Sequence, residues 1–157
     1  MRPTIEEQLR GNCRLLEQLV APVLQDEHAT RVLSEVIKNL QMLETAWMRV
    51  LPFLNWDNSL TADLLESAKP VVSDDIAARI DDLPTGPVDI HDVTAVMEHN
   101  DRLRSVLSEI VTTLDPTAGA DAATVHRNIV EHLDLRSRRY PMRMVPELSP
   151  SSLRKDS

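Results

Sequence analysis

Glycine, cysteine and aromatic residues are all scarce in this chain, and each scarcity closes off a class of structure. Three glycines in 157 residues, Gly11, Gly86 and Gly119, cannot supply the tight turns of an all-β protein or a loop that cradles phosphate. The Gly-x-Ser-x-Gly nucleophile elbow is missing for the same reason. Cys13 stands alone and has no intramolecular disulfide partner. With only Trp47, Phe53, Trp56 and Tyr140 as aromatics, the core must come from Leu, Val, Ile, Ala and Met, a palette that suits packed helices better than strands.

Other absences bear on place and chemistry. Charges interrupt every apolar stretch before it reaches the roughly 20 residues of a membrane span, so no membrane association is expected. The N-terminus lacks a basic-then-apolar leader, and with one cysteine this points to the cytoplasm. No Glu precedes a His by three residues, as di-metal carboxylate bundles require, and no two histidines frame a His-Glu-x-x-His pattern. The expectation is a chain with no catalytic residue, metal ligand or cofactor. Cys13 lies on the flank of an apolar stripe and reads as a small buried hydrophobe.

Acidic charge is plentiful. The formal net charge is −8. Residues 124–157 hold seven Lys/Arg against four Asp/Glu, leaving ten against twenty-one in residues 1–123. Such a body repels a phosphate backbone, so no nucleic-acid partner is expected. Arg136, Arg138, Arg139 and Arg143 suit an anion or an acidic partner, and equally suit the negative end of a helix dipole.

Helical periodicity dominates what remains. Thr4 and Glu7 stand in capping-box spacing ahead of Ile5, Leu9, Leu16, Leu19, Val20 and Val23, giving a helix to about residue 24 that Pro22 bends or ends. Leu33, Val36, Ile37, Leu40, Leu43, Trp47, Val50, Leu51 and Leu54 form one stripe over 29–54, with a break near Pro52. Asp57-Asn58-Ser59 reads as a capping turn before a short helix over 60–68. Ser73 caps another, and Leu83-Pro84-Thr85-Gly86-Pro87 is a loop. Long helices follow over 89–114 and 121–139, and prolines mark 141–157 as an extended or disordered tail. The fold class is all-α: an antiparallel bundle of four main helices with one or two short connecting helices, in a single domain over 1–140.

Polar residues that intrude on apolar stripes are the candidate site. Asn100 lies near the centre of the stripe of Val93, Val96, Met97, Leu107, Val111 and Leu114, and Arg104 shares it one turn on. Asn39 borders the stripe of the second helix, Asn12 lies in that of the first, and His126 joins Val125, Ile129 and Leu133. With bends near 27 and 117, Arg104 faces residue 130, roughly 6 Å along the axis from His126. Buried polar groups must be hydrogen-bonded, so Asn39, Asn100, Arg104 and His126 form a structural network or line a ligand pocket. Trp47, Phe53 and Trp56 around Pro52 suit a docking surface or a structural corner.

The segment Leu15-Leu16-Glu17-Gln18-Leu19-Val20-Ala21-Pro22-Val23-Leu24, with Val36-Ile37-Lys38-Asn39-Leu40, Glu44 and the closing Arg139-Tyr140-Pro141, resembles a family of small helical bacterial proteins classed as DUF6285. The resemblance implies an accessory protein associated with aminoglycoside-phosphotransferase-like kinases and acyl-CoA dehydrogenases. It supplies no known catalytic residues to carry over and leaves the activity open. The functional expectation is therefore a non-enzymatic accessory or protein-interaction module, acting as a homodimer or on such a partner. The alternative is a small-molecule binder or enzyme, for an anion or an acyl-CoA-type ligand, at the polar residues near Arg104 and His126.

Overall fold

The structure, a computed structural model, describes residues 3–84 and 88–142. All regular structure among them is helical: α1 (Ile5–Leu15), a π-helical turn (Leu16–Val20) and a 3-10 turn (Ala21–Val23), α2 (Glu27–Ala68), a 3-10 turn (Lys69–Val71), α3 (Asp74–Asp81), α4 (Val93–Thr113) and α5 (Ala120–Arg139). None of these helices is long and apolar enough to cross a membrane. The tail expected over 141–157 lies, beyond Met142, outside the described residues.

The chain divides into two compact units, the first reaching Trp47 and the second spanning Met48–Pro141. In the first, the Thr4 hydroxyl accepts from the Glu7 amide at 3.2 Å while Glu7 accepts from the Thr4 amide at 2.8 Å, the expected capping box. Pro22 has no N–H and its ring crowds the carbonyl four residues back. The helix widens over Leu16–Val20 and then tightens over Ala21–Val23, which carries the chain past the proline. The first half of α2 returns against α1 as an antiparallel hairpin. Arg10 on α1 pairs with Glu44 through Nε at 2.9 Å, and the Cys13 thiol faces the Ile37 carbonyl at 3.9 Å. Cys13 and Ala46 are the hairpin's buried residues, so the thiol is core, as its stripe position implies.

The second half of α2 corrects the sequence reading. No break occurs at Pro52, and Asp57-Asn58-Ser59 is helix interior, not a cap. The reason is tertiary. Phe53, Leu54, Asp57, Asn58, Thr61, Leu65 and Ala68 recur at helical spacing, and all are buried. A proline inside a helix costs about 3 kcal/mol. Burying Phe53, Leu54 and Leu65 contributes roughly 1.5 to 3 kcal/mol each, which outweighs that cost.

Ser73 caps α3 by accepting from the Ile76 amide at 3.4 Å, and Ile76 and Ile80 face inward. Asp92 caps α4 by accepting from the Ala95 amide at 3.1 Å, so α4 starts at Val93, a turn later than Asp89 suggests. Arg79 on α3 pairs with Glu109 on α4. One core cluster joins Leu65, Ala68, Ile76, Ile80, Leu103, Val106, Leu107, Ile110, Val125 and Ile129. A smaller one joins Phe53, Leu54 and Val96. These two clusters fix the directions of the helices. The start of α4 lies beside Phe53 and its end beside Leu65 and Ala68, so α4 advances in the same sense as α2. The 69–92 connection brings the chain back to allow it. α5 runs antiparallel to both, with His132 opposite Thr61 and Tyr140 opposite Phe53.

Candidate functional site

Where α2, α4 and α5 meet, a polar network crosses the bundle. Its centre is Asp57, fully buried. The carboxylate Oδ2 accepts from Asn100 Nδ2 at 2.8 Å and from Arg136 Nε at 2.9 Å. Asn100 also donates to Asn58 Oδ1 at 2.7 Å, and Asn58 donates to the Val96 carbonyl at 3.1 Å. Three helices are thus tied by groups that each need the other, since a buried orphan costs about 1 to 3 kcal/mol.

His132 forms the other side. Its Nε2 lies 3.2 Å from Thr61 Oγ1 and 3.2 Å from Asp57 Oδ1. The second contact has ion-pair distance without hydrogen-bond alignment, so Asp57 Oδ1 and His132 Nδ1 are buried with no hydrogen bond among the described residues. Burial pushes the imidazole below its ordinary pKa, and Arg136 and Arg104 push the same way while Asp57 opposes them. The ring is therefore neutral at pH 7.

The C-terminal turn of α5 is clamped onto α2 by aromatic contacts. Tyr140 meets Phe53 edge-on at 5.2 Å between centroids, and Phe53 meets Trp56 at 5.7 Å. The Arg136 guanidinium lies 5.4 Å from the Phe53 centroid, and that of Arg139 lies 4.6 Å from Trp56. Phe53 and Trp56 thus anchor a helix end, and Arg136 and Arg139 stack on aromatic faces near the helix terminus whose dipole they offset.

Beside the network opens a cleft of about 220 Å³. Thr61, Arg104, Ser108, His132 and Arg136 give it polar walls, and Leu107, Val111 and Leu133 an apolar one. Arg104 is exposed and has no carboxylate partner among the described residues. Among those residues no group of three or more His, Cys, Asp or Glu is placed to hold a metal ion.

The four residues singled out from sequence divide accordingly. Asn100 sits in the buried network and Arg104 on the neighbouring cleft, one turn further along α4. His126 is half-buried and belongs to neither; the inward histidine of α5 is His132. Asn39 is half-buried in the first unit, whereas the other three belong to the second, and Asn12 is exposed. Sequence reasoning misses Thr61 and His132, takes Asp57 and Asn58 as a cap, and reads Arg136 only among the arginines that suit an anion or a helix terminus. For α5 the signal was available: Ala122, Val125, Ile129 and His132 are its buried residues, and their spacing leads on to Arg136. Counting from Val125 through His126 shifts that stripe by one position. No family model, curated protein or solved structure matches this chain.

Proposed function

We propose that this chain is a non-enzymatic helical module that associates, through its N-terminal hairpin, with a second copy of itself. One observation carries the reading. The hairpin buries only Cys13 and Ala46 among its described residues, yet leaves Ile5, Leu15, Leu19, Val20, Val23, Val36 and Trp47 exposed. Two helices with so small a core do not hold together well in water, and this many exposed apolar side chains on one hairpin suit an interaction surface. A second hairpin is the occupant that fits best. Two antiparallel pairs close a four-helix bundle, and a two-fold axis lets the same apolar face cover itself.

The resemblance to DUF6285 extends the reading to a cytoplasmic bacterial accessory protein whose client is a phosphotransferase-like or acyl-CoA-dehydrogenase-like protein. Self-association is the part that can be tested first. Light scattering on purified protein should give twice the 17.7 kDa protomer mass. Leu19→Glu and Val23→Glu replace side chains 65% and 72% exposed in the protomer, so each should keep its helicity and fall to protomer mass. A wild type that stays at protomer mass at high concentration overturns the proposal, as do glutamate variants that remain dimeric.

A further inference from the structure

The cleft beside the buried network presents arginine donors that no carboxylate among the described residues takes up. Arg136 spends its Nε on Asp57, which leaves its terminal nitrogens without a carboxylate among the described residues. Arg104, on the facing helix, spends none of its donors on a carboxylate among the described residues. Thr61 and Ser108 add hydroxyls, and Leu107, Val111 and Leu133 add an apolar wall. An arginine fork with free donors is built for a planar anion, and the wall favours an anion with an aliphatic part.

Size narrows the class. A volume of about 220 Å³ is many times what a single water needs. That suits a carboxylate with a short aliphatic chain, and it falls below the roughly 300 to 1,000 Å³ of pockets that enclose a drug-sized ligand. We infer that the cleft between α4 and α5 binds a short-chain aliphatic carboxylate, its carboxylate held by Arg104 and Arg136 and its chain laid on Leu107, Val111 and Leu133.

The buried imidazole that lines the cleft reports on occupancy. His132 Nδ1 has no hydrogen bond among the described residues, and the charged groups around the ring are Asp57, Arg136 and Arg104. A bound carboxylate offsets the two arginines. The imidazole pKa then rises, a proton is taken up on binding, and affinity strengthens as pH falls toward the imidazole's unliganded pKa.

The test uses the full chain with butyrate, butyramide and inorganic phosphate. Butyrate should bind saturably by calorimetry and raise the melting temperature, and butyramide should do neither. Arg104→Met should keep its fold, because the side chain is exposed, and should weaken butyrate by at least about tenfold. The His132 ring resonance should titrate at higher pH with butyrate present. No saturable binding overturns the assignment, as does full binding by Arg104→Met. Phosphate binding as tightly as butyrate overturns the aliphatic-carboxylate class. Repeating the titration on Leu19→Glu keeps this result separate from self-association, since the cleft lies wholly within Met48–Pro141.

Discussion

Asp57 shows how one residue's environment decides its role. A carboxylate with no solvent contact survives because Arg136 and Asn100 donate to it. Arg136→Ala should therefore destabilise by about 3 to 5 kcal/mol, the cost of leaving a buried charge without its counter-ion. The double change Asp57→Asn with Arg136→Met should cost less than Arg136→Ala alone, and urea unfolding of the variants checks both. His132 and His99 add a pH dependence. Burial holds both below the ordinary imidazole value of 6.5, with Arg104 and Arg136 assisting at His132 and Arg102 at His99. Each folded pKa is thus depressed relative to the unfolded chain. The stability that the neutral rings contribute is present above pH 6.5, and is lost as pH falls through that value toward the folded pKa. Unfolding free energy should drop on mild acidification. The drop should shrink in His132→Gln, and an unchanged profile in that variant would count against the buried neutral ring. Asn100 was legible from sequence because an amide at the centre of an apolar stripe has only burial to explain it. Asp57 and Asn58 were not, because Asp-Asn-Ser is also the chemistry of a helix start, and only the packing of Phe53, Leu54, Thr61 and Leu65 around them decides between the two.

Among elements, α2 departs furthest from local rules. Sequence chemistry places two stops inside it, at Pro52 and at Asp57-Asn58-Ser59, and the helix runs through both. Propensity is a weak prior against a buried face continuous from Phe53 to Ala68. The proline still carries its cost, since Met48 loses the amide that would pair with its carbonyl. Pro52 is exposed, so Pro52→Ala removes no core contact. The substitution should stabilise by roughly 1 to 3 kcal/mol, less the small advantage proline gives by restricting the unfolded chain. A raised midpoint in thermal or urea unfolding is the expected result, and no change would mean that the helix does not depend on that hydrogen bond. The termini follow local chemistry where nothing competes. Thr4 and Ser73 cap as their spacing implies, because each faces a loop and not a core, and Asp92 takes that role for α4 a turn after Asp89.

At the scale of the whole molecule, periodicity revealed that the chain is helical but not in which sense the helices run. That sense depends on where the 69–92 connection delivers α4, and packing decides it: Val96 beside Phe53 and Leu54 sets α4 going the same way as α2. Apolar content alone likewise gave no sign that the core would be so unevenly shared. The second unit holds both core clusters, whereas the N-terminal hairpin buries only Cys13 and Ala46. This difference yields a prediction that separates the two. Amide protection in Val93–Thr113 and Ala120–Arg139 rests on contacts within the protomer, so it should be independent of protein concentration. Protection in Ile5–Leu15 rests on association and should follow mass action, falling on dilution as protomers separate. Hydrogen exchange with mass detection at two concentrations spanning the dissociation constant measures both in one experiment. If α1 exchanges as slowly in dilute as in concentrated protein, its protection does not come from a second copy, and the apolar face of the hairpin needs another explanation than self-association.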